Sequence, residues 1–299
     1  MEDIWNSEKA RTVRDTVRNG SYSLCNHVSC PYLANDSLPD MNEEEFAKAT
    51  VAPKLPSEIN AAYDYICNNA CPSCRHEIFK PDQQYKENMK IISDKLIPIM
   101  ENADMLSTDG NGDCFASPYI MDMLEKIRPK KKECQVNLET NGVLCDEAHL
   151  SRLEHLYNNN LEITITPNSF ERMSYKYLSG GYDSLDKVVH NLHFVKGLRK
   201  SGKISKFDIS IVVQDRNYRE LPEFTRRCIE EFECDRVIIK PIFYWFALTH
   251  EEYWFKDILN PKHPYFDEYM EILNNPILQH PKVFFWGGDR LHEAKEHPA

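Results

Sequence analysis

The chain has 299 residues, is 41% hydrophobic and 28% charged, and carries a formal net charge of -11. That length buries a sizeable core as one large domain with an appendage or as two domains, and the composition is that of an ordinary globular protein. The acidic balance excludes tight sequence-independent binding to nucleic acid, which needs clustered Lys and Arg.

The longest basic run, Lys126 to Lys132, falls between a helix pattern and a strand pattern and reads as a solvated loop. No apolar run reaches the roughly 18 residues of a membrane span. The charged N-terminus lacks the apolar stretch of an export signal. Cytoplasm is therefore the expected compartment, with neither membrane nor nucleic acid as partner. Ten cysteines without an export signal read as metal ligands and buried thiols, not as a disulfide framework.

Ile4, Val13 and Val17, with charges between them, predict an amphipathic helix that ends near Asn19-Gly20. Cys25 and Cys30 follow, with His27 between them. Residues 35–56 hold Pro39, Pro53, Pro56 and three glutamates at 43–45, and read as a linker with one short helix. Beyond it, short apolar runs alternate with longer helical patterns. Strands are predicted at 58–66, 103–108, 134–140, 161–166, 206–213 and 235–240. Helices are predicted at 84–100, 117–127, 147–157, 184–200 and 219–231. This alternation predicts βαβ units on a parallel sheet, whose ligands bind beyond the carboxyl ends of the strands.

Cys67, Cys71 and Cys74 follow the first predicted strand at C-x3-C-x2-C spacing. Thiolates are soft ligands that suit iron–sulfur clusters and zinc. Three of them can hold three corners of a cubane, and no local fourth cysteine completes the set. An open coordination position marks a reactive metal site. The bland alternative is a zinc knuckle completed by His76 or a distant cysteine. After the second strand comes Asp109-Gly110-Asn111-Gly112-Asp113, whose glycines let backbone approach a ligand. A plain turn is the alternative there; a calcium loop is not, because the glycine and the glutamate it needs are missing at the required offsets.

The cysteine spacing, at this place in the chain, resembles the radical S-adenosylmethionine (radical SAM) superfamily. The resemblance implies a partial (β/α)6 barrel, an α/β fold, over residues 57–245. It implies a 4Fe-4S cluster on Cys67, Cys71 and Cys74 whose open iron chelates S-adenosyl-L-methionine (SAM). It implies Gly110, Gly112 and Asp113 as holders of the methionine part, with Asp113 where many relatives have Glu and Cys114 where many have Pro. Thr140-Asn141-Gly142 resembles a passage common after the third strand. Thr164 keeps a hydroxyl of the fourth-strand motif, while Thr166 replaces its usual Asp. The passage from Tyr175 to Leu198, with Gly180-Gly181, resembles the family's paired glycines before a long helix; His190 and His193 near its apolar face read as packing or surface residues. Gln214 and Asn217 fall in a passage common in SPASM-type members and could reach the SAM site; capping is the alternative for Asn217. Pro241 ends the sixth strand, where adenine contacts would fall.

Within residues 1–56, a SPASM-tail-like segment and linker, the stretch from Ile4-Trp5-Asn6 through Arg14 to Cys30-Pro31 resembles the tail of a SPASM module, the cysteine-rich extension of many such enzymes, placed here before the barrel. Two cysteines are too few for a full module, which favours a remnant without a cluster; ligands from elsewhere, or zinc with His27, are the alternatives. Cys114 aside, Cys134, Cys145, Cys228 and Cys234 read as buried thiols. Residues 246–299, with the aromatics that begin at Tyr244, Trp245 and Phe246, read as a C-terminal extension covering the barrel, or as packing for its rim. The expected function is reductive SAM cleavage and hydrogen abstraction from a peptide or protein, a sugar or a small molecule, with a reducing electron donor as partner. A cluster- or zinc-binding module without catalysis, and an adaptor of a larger assembly, are the other readings.

Overall fold

The structure is a computed structural model that describes residues 2–27, 30–34, 36–38, 40, 42, 44, 55–244 and 247–286. The chain divides into two units, Met1–Glu58 and Ile59–Ala299. In the first, α1 (Glu2–Trp5), α2 (Glu8–Arg18) and α3 (Pro31–Ala34) are short. Ser7 caps α2 by accepting from the Ala10 amide at 3.2 Å, and Gly20 follows its end at φ 71°, as the Asn19-Gly20 signal predicts. Most of the expected linker helix in 35–56 lies outside the described residues.

The second unit alternates strand and helix. Its elements are β1 (Glu58–Asn60), α4 (Gln83–Met100), β2 (Met105–Ser107), α5 (Pro118–Lys126), β3 (Gln135–Thr140) and α6 (Glu147–Leu150). They continue as β4 (Asn160–Ile165), α7 (Arg172–Leu178), α8 (Leu185–Lys200), β5 (Lys206–Val213), α9 (Leu221–Glu230) and β6 (Arg236–Pro241). The last are α10 (His250–Lys256), α11 (Phe266–Ile272) and β7 (Val283–Phe285). The strands form one sheet in sequence order, β1 to β7, and the pairings from β2 to β7 are parallel. Six strand–helix repeats therefore precede a short seventh strand. That strand pairs Val283 with Val237 and Phe285 with Ile239. The C-terminal extension, expected as a cover, thus supplies an edge strand to the sheet. Trp245 and Phe246 lie outside the described residues.

Alternation along β3 and β4 sets the two faces. Val136, Leu138, Leu161, Ile163 and Ile165 are buried in the main core, which the helices share. The other face is polar: Glu139, Thr164, Asp208 and Arg236 stand in one register row across β3 to β6. Lys240 of β6 pairs with Glu139 of β3 on this face. Those strands stand about 14 Å apart along a flat sheet at about 4.8 Å per step. The contact marks this face as the concave one, the inside of an open barrel.

Two differences from the predicted elements have physical causes. After a last bond from the Ala61 amide to Ser107 O of β2 at 2.8 Å, β1 gives way to contacts with the glycine loop: Ala62 O accepts from Asn111 Nδ2 at 2.8 Å, and Ile66 O from the Asp113 amide at 3.0 Å. The helix expected at 147–157 turns 3-10 over Ser151–Asn158. Leu150, Leu153 and Leu156, all fully buried, repeat every three residues, which a 3-10 helix puts on one side.

Glu233, in a left-handed turn (φ 52°) before β6, meets Lys196 at 2.6 Å and Lys200 at 2.7 Å. Those ammonium groups, Lys196 first, hold its carboxyl at about 2 against an ordinary 4.5. A carboxyl lowered by folding stabilises fully above its unfolded pKa and loses that contribution as pH falls through its folded one. Between pH 4.5 and pH 2 the Tm of the Glu233→Gln variant is therefore expected to fall less steeply than the parent's; parallel curves would show that the pair contributes nothing.

Candidate functional site

The carboxyl ends of the strands carry the residues that the motifs single out. The cysteine loop leaves the extended segment after β1 and is held from three sides. Ala70 N donates to Ser179 O at 3.3 Å, in the turn that ends α7. Gly180 in that turn has φ 82°, and a Cβ there would lie 2.2 Å from Ala70 O, so only glycine permits the approach. The first of the paired glycines noticed in the sequence thus lies against the cysteine loop. From β3, Asn141 Nδ2 donates to Asn68 Oδ1 at 2.8 Å and points at Cys67 Sγ at 3.7 Å. Arg75 completes the frame: its guanidinium donates to Tyr65 O at 2.6 Å, to Asn111 O of the glycine loop, and to Cys74 Sγ at 3.7 Å. Arg75 carried no signal in the sequence, because a lone arginine after a cysteine motif has no distinguishing pattern.

Cys67 and Cys71 are half-buried and Cys74 is exposed. Burial, and after it the Asp113 carboxylate, pushes the Cys67 thiol up to about 11. Cys71 keeps some surface yet is densely surrounded; burial, then Cys67 and Cys74, pushes it up to about 12. The three cysteines lie within one eight-residue turn, and where burial raises a thiol a thiolate needs a cation beside it. Among the described residues, no three His, Cys, Asp or Glu side chains form a group able to hold a metal ion. A cubane is larger than one ion, and each thiolate meets its own iron. The donor set, soft sulfurs with N–H groups directed at Cys67 and Cys74, is of the kind such a cluster takes.

The glycine loop packs beneath. A Cβ on Gly112 would lie 2.5 Å from Ile66 O and 2.7 Å from Asp64 O. Gly110 takes φ 117° and approaches the Ala62 side chain. Asp113 is 2% exposed and accepts four hydrogen bonds. They come from the Phe115 amide at 3.1 Å, the Ala116 amide at 3.2 Å, the Thr140 hydroxyl at 2.8 Å and the Asn141 amide at 2.8 Å. The carboxylate braces the glycine loop to the end of β3, and burial pushes its pKa up.

Farther round the rim, Asn217 is fully buried. Its Nδ2 donates to Asn168 O at 2.8 Å and to Val212 O at 2.9 Å, and its Oδ1 accepts from the Gln214 amide at 2.8 Å. It fastens the ends of β4 and β5 to each other. Gln214 is 2% exposed beside it. Thr164 stands half-buried on the concave face, in register with Glu139 and Asp208. Thr166 meets the Ser210 hydroxyl at 2.5 Å and Glu139 at 3.4 Å. Asp109 joins this cluster, and burial, then Glu139, pushes its carboxyl up. The Glu139–Lys240 pair carried no motif; its partners lie 101 residues apart. Lys256 of α10 donates to Tyr177 of α7 at 3.0 Å and lies 3.8 Å from Asp215 after β5, which fixes the C-terminal extension to this rim. Cys134, Cys145, Cys228 and Cys234 are buried, as expected. Cys25 and Cys30 belong to the N-terminal unit, and both are half-buried.

No helix among the described residues is long and apolar enough to cross a membrane. No family model matches the sequence, and no curated protein matches it. Among solved structures, the chain is similar to Streptococcus suis SuiB bound to the precursor peptide SuiA. That match has 14% identity and a TM-score of 0.54, over 96% of this chain and 64% of that one. It is similar also to SuiB bound to S-adenosylmethionine, at 16% identity and a TM-score of 0.52, over 95% of this chain and 62% of that one. The chain thus spans less than two thirds of SuiB's length. At such identity the likeness is one of fold, and the fold is the partial α/β barrel that the radical SAM resemblance implies.

Proposed function

We propose that this chain is a radical SAM enzyme, with Cys67, Cys71 and Cys74 as ligands of a 4Fe-4S cluster and SAM bound beside them. One observation carries the reading. The C-x3-C-x2-C loop, the glycine loop at 109–113, Asn141 and the Gly180 turn, four stretches far apart in sequence, are docked on one another beyond the strand ends. The chemistry the cluster supplies when bound is one-electron cleavage of SAM, giving a 5'-deoxyadenosyl radical that takes hydrogen from a substrate.

The chain's own residues bind, orient and shield. Gly110 and Gly112 bring bare backbone to the place proposed for the methionine part, and Asp113 holds their loop rigid. Thr164, Gln214 and Asn217 are proposed for the remaining SAM contacts. The internal hydrogen bonds of Asp113 and Asn217 favour a positioning part for these two. The C-terminal extension, tied to the rim by Lys256, is proposed to cover the barrel and keep water from a reactive radical. The substrate classes open to such an enzyme are a peptide or protein, a sugar and a small molecule. SuiB's structure with a precursor peptide favours a peptide. A reducing electron donor is implied, and the cytoplasm remains the compartment proposed. The N-terminal unit is proposed as a SPASM-tail remnant.

The test is anaerobic. The chain is reconstituted with iron and sulfide, reduced with dithionite and given SAM, and 5'-deoxyadenosine is quantified. Product above the level of unreconstituted protein is expected. A stable, reducible cluster that leaves SAM intact with and without candidate peptides would favour the second reading, a cluster-binding module on a degenerate barrel. Zinc uptake with no 4Fe-4S cluster would overturn the proposal.

A further inference from the structure

Arg75 is half-buried and directly follows Cys74, the last residue of the cysteine motif. Its Nη1 donates to Tyr65 O at 2.6 Å, and its Nη2 donates both to Asn111 O and to Cys74 Sγ, the latter at 3.7 Å. A single nitrogen therefore spans the glycine loop and the third cysteine. The planar guanidinium fork can make these bonds together, and it stays charged at every pH at which proteins fold. The carbonyls satisfy its N–H groups but bring no charge to match the cation. Elsewhere in the chain such a cation is matched. Arg199, Arg227 and Arg236 are half-buried too, and they meet Asp235 at 2.6 Å, Glu231 at 2.7 Å and Asp208 at 2.8 Å. Among the described residues Arg75 forms no such ion pair with a carboxylate. A partly desolvated cation favours an anion beside it, and the group in its reach that can become one is the Cys74 thiol.

We infer that Arg75 is a positioning residue of the cluster, whose guanidinium bonds to the Cys74 sulfur and raises the cluster's reduction potential. This rests on the reading of Cys67, Cys71 and Cys74 as cluster ligands. Three thiolates make such a cluster anionic, and reduction adds a further negative charge that spreads onto the sulfurs. A fixed cation in hydrogen-bond contact with one of them favours the reduced state, since net charge and hydrogen bonds to the sulfurs set these potentials. The bond from the same nitrogen to Asn111 O ties the Cys74 corner to the loop proposed for the methionine part of SAM. Lysine at this position keeps the charge and loses the fork, whereas glutamine keeps a donor and loses the charge.

The experiment uses the full chain, reconstituted anaerobically without SAM or substrate. Iron and sulfide content and an EPR-monitored redox titration are measured for the parent, Arg75→Gln and Arg75→Lys. The parent is also prepared with arginine whose guanidinium carries the heavy nitrogen isotope, and the reduced cluster is examined for hyperfine coupling to that isotope. At a fixed potential the expected result is roughly tenfold less reduced cluster in Arg75→Gln, about 59 mV for a one-electron couple, and less than half that shift in Arg75→Lys. Coupling of the isotope to the parent's cluster is expected as well. A role confined to holding the two loops would lower cluster content in both variants and leave the potential where it was, and that result would overturn the inference. So would shifts of equal size in the two variants, because the charge would then not be the cause. A parent cluster without the coupling would overturn it too, even where the variants load no cluster. A parent that takes up no cluster would instead overturn the reading of the cysteines.

Discussion

Replacing Cys67, Cys71 and Cys74 together by alanine should abolish 5'-deoxyadenosine formation and leave the fold standing. The two halves of this expectation have separate causes. Alanine carries no ligand atom, so none of the three corners of the proposed cluster remains. The fold does not depend on these sulfurs, because two are half-buried and one is exposed. The main core lies under the sheet and contains none of the three. Removing such groups typically costs about 1 kcal/mol or less each. The loop is held by backbone and neighbours instead: Ala70 on Ser179, Asn68 on Asn141 and Arg75 on Asn111. The check is paired. Far-UV circular dichroism and Tm of the apo proteins should agree within a few degrees, while iron content and product fall to background in the variant. Product retained by the triple variant would remove the cysteines from the chemistry altogether. A collapsed fold would make them structural.

Gly180→Val should unseat the cysteine loop, with a larger loss than the same change one residue on. Gly180 and Gly181 both have positive φ, 82° and 96°. Each substitution thus carries a conformational penalty on the order of 1–2 kcal/mol. Their surroundings differ. A Cβ on Gly180 would lie 2.2 Å from Ala70 O and 2.6 Å from Ala70 C, whereas one on Gly181 meets nothing within 4 Å. The obstruction at Gly180 is backbone, which cannot swing aside as a side chain can, so the α7 turn and the cysteine loop must part. Expected results are a lower Tm for both variants, lower still for Gly180→Val, and loss of iron uptake in that variant alone. Equal iron uptake would mean that the contact with the α7 turn does not set the cysteine geometry.

Much of this barrel was legible in the sequence because strand and helix patterns report burial directly. Val136 and Leu138 alternate with polar residues, and Leu192, Val195 and Leu198 recur at helical spacing. The same logic explains the misses. The spacing of Leu150, Leu153 and Leu156 fits a 3-10 turn, yet within a longer apolar pattern it reads as α-helix. The β1 pattern runs on to Ile66, but alternation cannot tell whether a strand's next partner is another strand or a loop. Val283–Phe285 is three residues long, too short for periodicity to register, and the sheet edge on β6 is what makes it a strand.

At the site, the cysteine triplet, the two glycine passages and the Thr140-Asn141-Gly142 turn could be marked from the sequence, since each depends on residue type at short spacing. Their mutual contacts could not. That Asn141 meets Cys67, that Arg75 joins two loops, and that Glu139 pairs with Lys240 across the concave face are consequences of chain segments 36 to 101 residues apart. Side-chain hydrogen bonds also decided which carboxylate faces inward. Asp113 and Asp109 carry the same charge at two ends of one loop. Only the packing of β3 against that loop makes the first a saturated brace and leaves the second beside Glu139. The sequence by itself therefore determined the fold class and the residue types gathered at the strand ends, because local periodicity and spacing encode them. The tertiary structure decided which of those residues touch, because contact depends on the curvature of the sheet and the approach of backbones far apart along the chain.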